Sequence, residues 1–277
     1  MGLPGVNVVE RDLLCRLDPG SIMRAAGLEP DPWQDRILRS RAHRAIAKVH
    51  RQGGKSTTYA AAALHRALYP KNPRGALVLI FAAAQRQSME VHRKIVELLA
   101  ALRPSVGVDK SSESRLVFDN GSRIVALPAT ETTILGYSAP ELVIIDEAAR
   151  VPDILYASVR PMLAVSDGDL WLCSTPFGQR GFFHHEWTKG GDAWLRVEQA
   201  APQCRRITAE FLAEERSRYP EWWYRQEYDP VEFADTEGQA ISYELVMRAM
   251  GGVEALQLVQ PPAPTATLLG GVEALSL

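Results

Sequence analysis

Short, almost continuous apolar runs alternate with longer amphipathic stretches through most of the chain. AIAKV at 45–49, ALVLIFA at 76–82, LVII at 142–145 and DLWLCS at 169–174 read as strands buried on both faces. Such strands predict a mostly parallel sheet covered by helices on either side, an α/β fold. Helical spacing appears at 11–27, in two pieces broken at Pro19-Gly20, and at 33–40 after Pro30 and Pro32. It recurs in an alanine-rich segment at 56–68 ended by Pro70, at about 85–102, and in an aromatic-rich region at 208–229. RLVFDNGSRIVAL at 115–127 is two alternating runs around Asn120-Gly121, the strongest hairpin signal in the sequence. A proline-rich link at 260–264 leads into the last residues.

A length of 277 residues corresponds to one large or two modest domains, and 46% hydrophobic residues suffice for a large core. That composition excludes a disordered or collagen-like chain. Cys15, Cys173 and Cys204 are far apart with no CxxC pair, so neither a disulfide framework nor a zinc knuckle is expected. A reducing cytoplasm is the expected compartment. No apolar run approaches the ~20 residues that span a bilayer, and the N-terminus lacks a signal-peptide core, so no membrane partner is expected. The net charge of -2 hides an asymmetry. Residues 1–100 carry 16 Lys and Arg against 8 Asp and Glu, whereas residues 101–277 carry 15 against 25. A basic first third suits a polyanion, nucleic acid or nucleotide, and is equally compatible with a solvated arginine-rich surface.

The sharpest chemical signal is His50-Arg51-Gln52-Gly53-Gly54-Lys55-Ser56-Thr57, between a predicted strand and a predicted helix. Strand, glycine turn, Lys-Ser and helix together make a phosphate cradle. Backbone N–H groups and the helix N-terminus face the anion, Lys55 reaches the β/γ-phosphates, and the Ser56 hydroxyl ligates Mg²⁺. The usual pattern places a glycine six residues before the lysine, where this chain has Val49. About ninety residues downstream, a buried strand delivers Asp146 and Glu147 to its C-terminal end, where ligands bind in open α/β sheets. In a P-loop enzyme the first acid supports the metal and the second orients the attacking water. A helix cap at Asp146 is the structural alternative. A third strand ends in Ser174-Thr175-Pro176, small hydroxyls beside the predicted phosphate site.

HRQGGKST, LVIIDEAARVPD and CSTPFGQRGFF, in that order, resemble the ATPase domain of large terminase subunits, the DNA-packaging motors of tailed phages and prophages. The resemblance covers about residues 30–250. Pro32-Trp33-Gln34 is similar to the family's adenine-binding segment, with Gln34 on the base edge and Trp33 near the ring, and Gln226-Glu227-Tyr228 is similar to a motif in its linker subdomain. The resemblance implies a P-loop NTPase with a domain at 1–205, a helical linker subdomain at 206–250 and a tail at 251–277. It implies that Gln34, Gln52, Gly53, Gly54, Lys55, Ser56 and Thr57 bind ATP and that Ser56 and Asp146 hold Mg²⁺. Glu147 would be the catalytic carboxylate, Arg51 would sense or stabilise the γ-phosphate, and Ser174 and Thr175 would couple hydrolysis to movement. The implied partners are double-stranded DNA bound without sequence preference, a portal protein, a small terminase subunit and like subunits in a ring, in the bacterial host cytoplasm.

Two departures from the family pattern stand out. Relatives commonly carry arginine-glycine where this chain has Leu135-Gly136, and that arginine is thought to reach the neighbouring subunit's nucleotide. Leucine cannot stabilise phosphoryl charge, which leaves Arg150 and Arg160 as geometric substitutes. Secondly, large terminases continue into a ribonuclease-H-like nuclease, whereas TATLLGGV at 265–272 resembles only its opening strand, with Glu273 as its first acid. One carboxylate cannot build a two-metal site, so nuclease activity is expected to be absent and 251–277 to be a vestige. The rival readings are a non-catalytic truncated remnant that binds nucleotide or partners, and a DExx-type helicase. The helicase requires a second nucleotide-binding lobe for which too little chain remains.

Overall fold

Alternation of side chains along the central strands organises the two layers of the molecule. The strands are β1 (Arg44–Val49), β2 (Leu77–Ala82), β3 (Val108–Ser111), β4 (Arg115–Phe118), β5 (Arg123–Pro128), β6 (Leu142–Asp146), β7 (Asp169–Ser174) and β8 (Trp194–Gln199). The computed structural model describes residues 7–130, 136–230 and 233. They belong to one unit, Met1–Gly238, and the second unit, Gln239–Leu277, lies outside the described residues. Leu135, the 234–250 part of the expected linker subdomain and the 251–277 tail therefore also lie outside them.

The described strands form one sheet in the order β3-β4-β5-β2-β6-β7-β1-β8. From β5 to β8 every neighbouring pair is parallel, and β3-β4 and β4-β5 are antiparallel. Val78 and Ile80, Leu142 and Ile144, and Trp171 and Cys173 point into one core. The intervening Leu79 and Phe81, Val143 and Ile145, and Leu170 and Leu172 point into the other. Helices α1 (Val8–Leu17), α2 (Gly20–Ala25), α3 (Pro32–Leu38), α4 (Lys55–Leu68) and α5 (Gln85–Leu102) contribute to the first core. Helices α6 (Asp153–Met162) and α7 (Gly181–Lys189) contribute to the second. Burial of both faces explains why these strands carry unbroken apolar runs rather than polar alternation.

Helix α4 is alanine-rich for a packing reason. Ala60, Ala61, Ala63 and Ala67 are fully buried against the same core as Ala45 and Ala47 of β1, so small side chains bring helix and strand backbones close. The far end of α4 is tied to the Asn120-Gly121 hairpin. Asn120 Nδ2 donates to the Ala67 and Leu68 carbonyls at 2.9 and 3.4 Å, while its Oδ1 accepts from the Ser122 N–H at 3.0 Å. After β8 the chain builds a small separate core from Ala201, Leu212, Tyr224 and Tyr228. It carries α8 (Ala209–Arg218) and α9 (Glu221–Tyr228), parted by Pro220. Among the described residues no helix is long and apolar enough to cross a membrane.

Gly121 adopts φ 83°, and a Cβ there would lie 2.6 Å from the Arg74 carbonyl oxygen. Gly121→Ala should therefore destabilise the protein by about 1–3 kcal/mol in urea titration, since a left-handed backbone and a clash act together.

Candidate functional site

Strand β1 ends at Val49, the chain turns through 50–54, and α4 begins at Lys55. Two left-handed residues make the turn, Gln52 at φ 64° and Gly54 at φ 87°. A Cβ on Gly54 would sit 2.8 Å from Gln34 Nε2, and one on Gly53 would collide with Val49, so both glycines serve a close approach. The α4 N-terminus and Lys55 therefore converge on one spot, the geometry that binds phosphate groups. Lys55 is buried, with Nζ donating to the Val49 and His50 carbonyls at 3.5 and 3.3 Å and lying 3.7 Å from Glu147 Oε1.

Strand β6 brings the carboxylates to the same place. Asp146 is 4% exposed, and burial, reinforced by the neighbouring Glu147 charge, pushes its pKa up to about 7. Lys55, the Glu147 N–H at 3.0 Å and a hydrogen bond from Ser56 act in the opposite direction. Glu147 follows with φ 50°, an uncommon conformation for a side-chain-bearing residue and one that clusters at functional sites. Its Oε2 accepts from Ser174 Oγ at 3.2 Å and from Arg150 Nη1 at 3.3 Å. Because β7 lies between β6 and β1 in the sheet, its tip falls between the carboxylates and the glycine turn. Thr175 Oγ1 there accepts from Arg150 Nη1 at 3.2 Å.

A cavity of about 660 Å³ adjoins the turn and is lined by Leu28, Pro30, Gln34, Gly54, Thr57 and Arg206, among others. The Gln34 carboxamide is fully engaged by the protein. Its Oε1 accepts from the Asp31 N–H at 2.7 Å, and its Nε2 donates to Thr58 Oγ1 at 2.7 Å and the Gly54 carbonyl at 3.3 Å. Gln34 thus fastens α3 to the glycine turn. Trp33, expected near a base, is instead buried in the core with Ile37 and Leu38 and does not line this cavity. Arg206 closes one side by pairing with Asp31 at 2.7 Å.

Arg51 is engaged by α9. Its Nη1 lies 3.3 Å from Glu227 Oε2, and its backbone N–H donates to the Glu227 carbonyl at 2.7 Å. Glu227, on α9, is buried and also faces Arg150 Nη2 at 3.8 Å. Thus Lys55, Ser56, Asp146, Glu147 and Ser174 come together, with Thr175 joined through Arg150. Gln34, Gly54 and Thr57 share the adjoining cavity, Arg51 is held by α9, and Gln52 is exposed at the turn. Of the two substitutes considered for residue 135, Arg150 faces its own site, whereas Arg160 is 61% exposed and lies 3.9 Å from Glu186. Thr58 and Arg206 carry no signal in the sequence, whereas His50 stands in the glycine-turn motif without an assigned role and Glu227 in the Gln-Glu-Tyr motif.

A glycine turn between β1 and α4, paired carboxylates at the tip of β6 and hydroxyls on the strand between them are the arrangement of a P-loop NTPase fold. The chain belongs to the large terminase family: residues 50–247 match the family model described as terminase large subunit, T4likevirus-type, N-terminal. The large terminase ATPase domain of Thermus phage P74-26 is similar at 25% identity and TM-score 0.65, covering 76% of this chain and 97% of that one. The large terminase of bacteriophage HK97 is similar in fold at 17% identity and TM-score 0.59, covering 74% of this chain. The match spans 51% of the HK97 chain, so this chain corresponds to about half of that protein. A comparison with curated proteins finds no match.

His50, the first residue of the turn, is fully buried, with Nδ1 2.6 Å from the Arg51 carbonyl and Nε2 without a hydrogen-bond partner among the described residues. Burial, with smaller contributions from Lys55 and Arg206, pushes its pKa down to about 4. A base whose folded pKa is depressed takes up its proton more readily in the unfolded chain. Its contribution to stability is therefore present above pH ~6.5 and lost as the pH falls towards 4. Melting temperature should fall more steeply across that window in the wild type than in His50→Gln, and parallel slopes would contradict this reading.

Proposed function

We propose that this chain is the Mg²⁺-dependent ATPase of a DNA-packaging motor, acting in the bacterial host cytoplasm. The observation that carries the reading is the convergence of Lys55, Ser56, Asp146 and Glu147 on one buried spot at the C-terminal edge of a parallel sheet. Lys55 would leave the turn carbonyls for the β/γ-phosphates, joining the α4 N-terminal N–H groups. Glu147 would accept a hydrogen bond from the attacking water, and its proximity to Ser174 would restrict its orientation. Gln34, Gly54 and Thr57 would line the base and ribose side of the nucleotide. The large terminase of a thermophilic bacteriophage has been solved in complex with ADP and in complex with ATP-gamma-S. Those two structures share this fold, at TM-scores of 0.54 and 0.52.

The donors present suit Mg²⁺. Ser56 and Asp146 are hard oxygen ligands already hydrogen-bonded to each other, beside the turn that would hold phosphate. Among the described residues no group of three or more His, Cys, Asp or Glu is placed to hold a metal. A cation here would thus complete its shell with phosphate oxygens and water, as Mg²⁺ does. When bound, Mg²⁺ supplies charge neutralisation on the phosphate oxygens. Arg51 would approach the γ-phosphate only by leaving Glu227.

Family membership supports coupling of this hydrolysis to translocation of double-stranded DNA, in a ring of like subunits with a portal protein and a small terminase subunit. DNA would be held through its phosphates by the basic first third, without base readout.

Phosphate release by the purified chain, with and without double-stranded DNA, tests the reading. Lys55→Ala should abolish turnover and weaken ATP binding strongly, because the lysine is the point charge on the phosphates. Full hydrolysis in that variant would refute the assignment. DNA binding should fall steeply with salt, and a preference above ~10³-fold for one sequence would contradict the phosphate-only mode.

A further inference from the structure

Arg150 makes more connections around the site than its place in the chain suggests. It closes a short 3-10 turn, Ala148–Arg150, immediately after the carboxylate pair. Its Nη1 donates both to Glu147 Oε2 at 3.3 Å and to Thr175 Oγ1 at 3.2 Å. Nη2 faces Glu227 Oε1 of α9 at 3.8 Å, and the guanidinium carbon lies 4.6 Å from the centre of the Phe177 ring. Three elements therefore meet on one planar cation: the tip of β6, the tip of β7 and helix α9.

We propose that Arg150 is a positioning residue for ATP hydrolysis in its own subunit, holding the Glu147 carboxylate at the angle needed to receive the water proton. This rests on the ATPase reading above. Three considerations carry it. Glu147 is a long side chain whose carboxylate is oriented by its hydrogen-bond partners, not by the backbone that leaves β6. The two carboxylate oxygens are differently engaged: among the described residues Oε1 pairs with Lys55, at 3.7 Å, whereas Oε2 is held by Arg150 and Ser174. Once Lys55 engages phosphate, Oε1 is free to accept the proton, and Oε2 keeps the group aimed. Finally, a guanidinium can serve Glu147, Thr175 and Glu227 together because its donors form a rigid fork, whereas an ammonium is a point charge. The inward direction also separates Arg150 from an arginine acting on a neighbouring subunit. Behind it a cavity of about 430 Å³, lined by Phe177, Arg180, Trp222 and Trp223, leaves the guanidinium room to follow α9.

The test measures kcat and KM for ATP, the Kd of a fluorescent ADP and the melting temperature for wild type, Lys55→Ala, Arg150→Gln, Arg150→Lys, Thr175→Val, Glu147→Gln and the double variant Glu147→Gln/Arg150→Gln. Arg150→Gln should lower kcat by about 10²-fold, the cost of a misplaced catalytic group, with ADP affinity and melting temperature near wild type. Arg150→Lys should recover part of that loss, and Thr175→Val should lower kcat to a smaller extent. Glu147→Gln/Arg150→Gln should be no slower than Glu147→Gln alone, because a group acting only through Glu147 has nothing left to position. Wild-type kcat in Arg150→Gln overturns the proposal. So do losses that multiply in the double variant, or a fall in kcat accompanied by equal losses of affinity and melting temperature. If Arg150→Gln does not fold, wild-type kcat in both Arg150→Lys and Thr175→Val overturns it equally. Equal phosphate release by wild type and Lys55→Ala would instead refute the ATPase reading itself, and the proposal with it.

Discussion

Asp146 and Glu147 are adjacent carboxylates at the edge of a buried sheet, and their mutual repulsion has to be balanced where water is scarce. Two cations flank the pair: Arg150 lies 3.3 Å from Glu147 and Lys55 3.7 Å, and Lys55 also opposes the upward push on the Asp146 pKa. Removing one member of such a cluster leaves uncompensated buried charge, which costs several kcal/mol in proteins. The surrounding architecture follows from this junction. Both faces of β6 and β7 must be apolar to exclude water, the turn after β1 must be glycine-rich to bring Lys55 close, and Ser56 must lie in the first turn of α4 to reach Asp146. A charge cluster built in this way has spare attraction for a polyanion carrying its own cation.

The helical segment after β8 is tied to the same junction by charge rather than by a shared core. Glu227 engages the glycine turn through Arg51 and the carboxylate turn through Arg150, and Arg206 reaches Asp31 at the start of α3. Its own apolar cluster is small and separate. Ion pairs of this kind exchange partners more readily than packed apolar surfaces shift. On the proposed reading, the segment is placed to respond to a change at Lys55 and Glu147.

Much of the fold is legible in the sequence because the decisive signals are local. Buried parallel strands carry unbroken apolar runs, Asn120-Gly121 fixes a hairpin, Pro19-Gly20 separates α1 from α2, and the glycine turn between β1 and α4 is written in consecutive residues. Strands β3 and β8 carry no such signal, since β3 is four exposed residues and β8 is a partly exposed edge with Arg196 and Glu198 within it. Helices α6 and α7 escape sequence reading as well. The site's electrostatics are the least accessible part. Arg51 and Glu227 are 176 positions apart, and Gln34 and Thr58 are 24 apart, so no window along the chain contains both partners. Trp33 shows the converse limit: beside Gln34 in sequence, it packs into the core and leaves the cavity to its neighbour.

The central claim is that Lys55 and Ser56 bind nucleotide phosphate while Glu147 performs chemistry. Glu147→Gln separates the two, because it keeps the side chain's size and removes its ability to take a proton. Calorimetric titration of that variant with ATP and Mg²⁺, alongside its rate of phosphate release, is the most direct measurement. Binding should be retained and hydrolysis reduced by ~10²-fold or more, as for loss of a general base. Binding and hydrolysis lost together would contradict the central claim and make Glu147 a structural group instead.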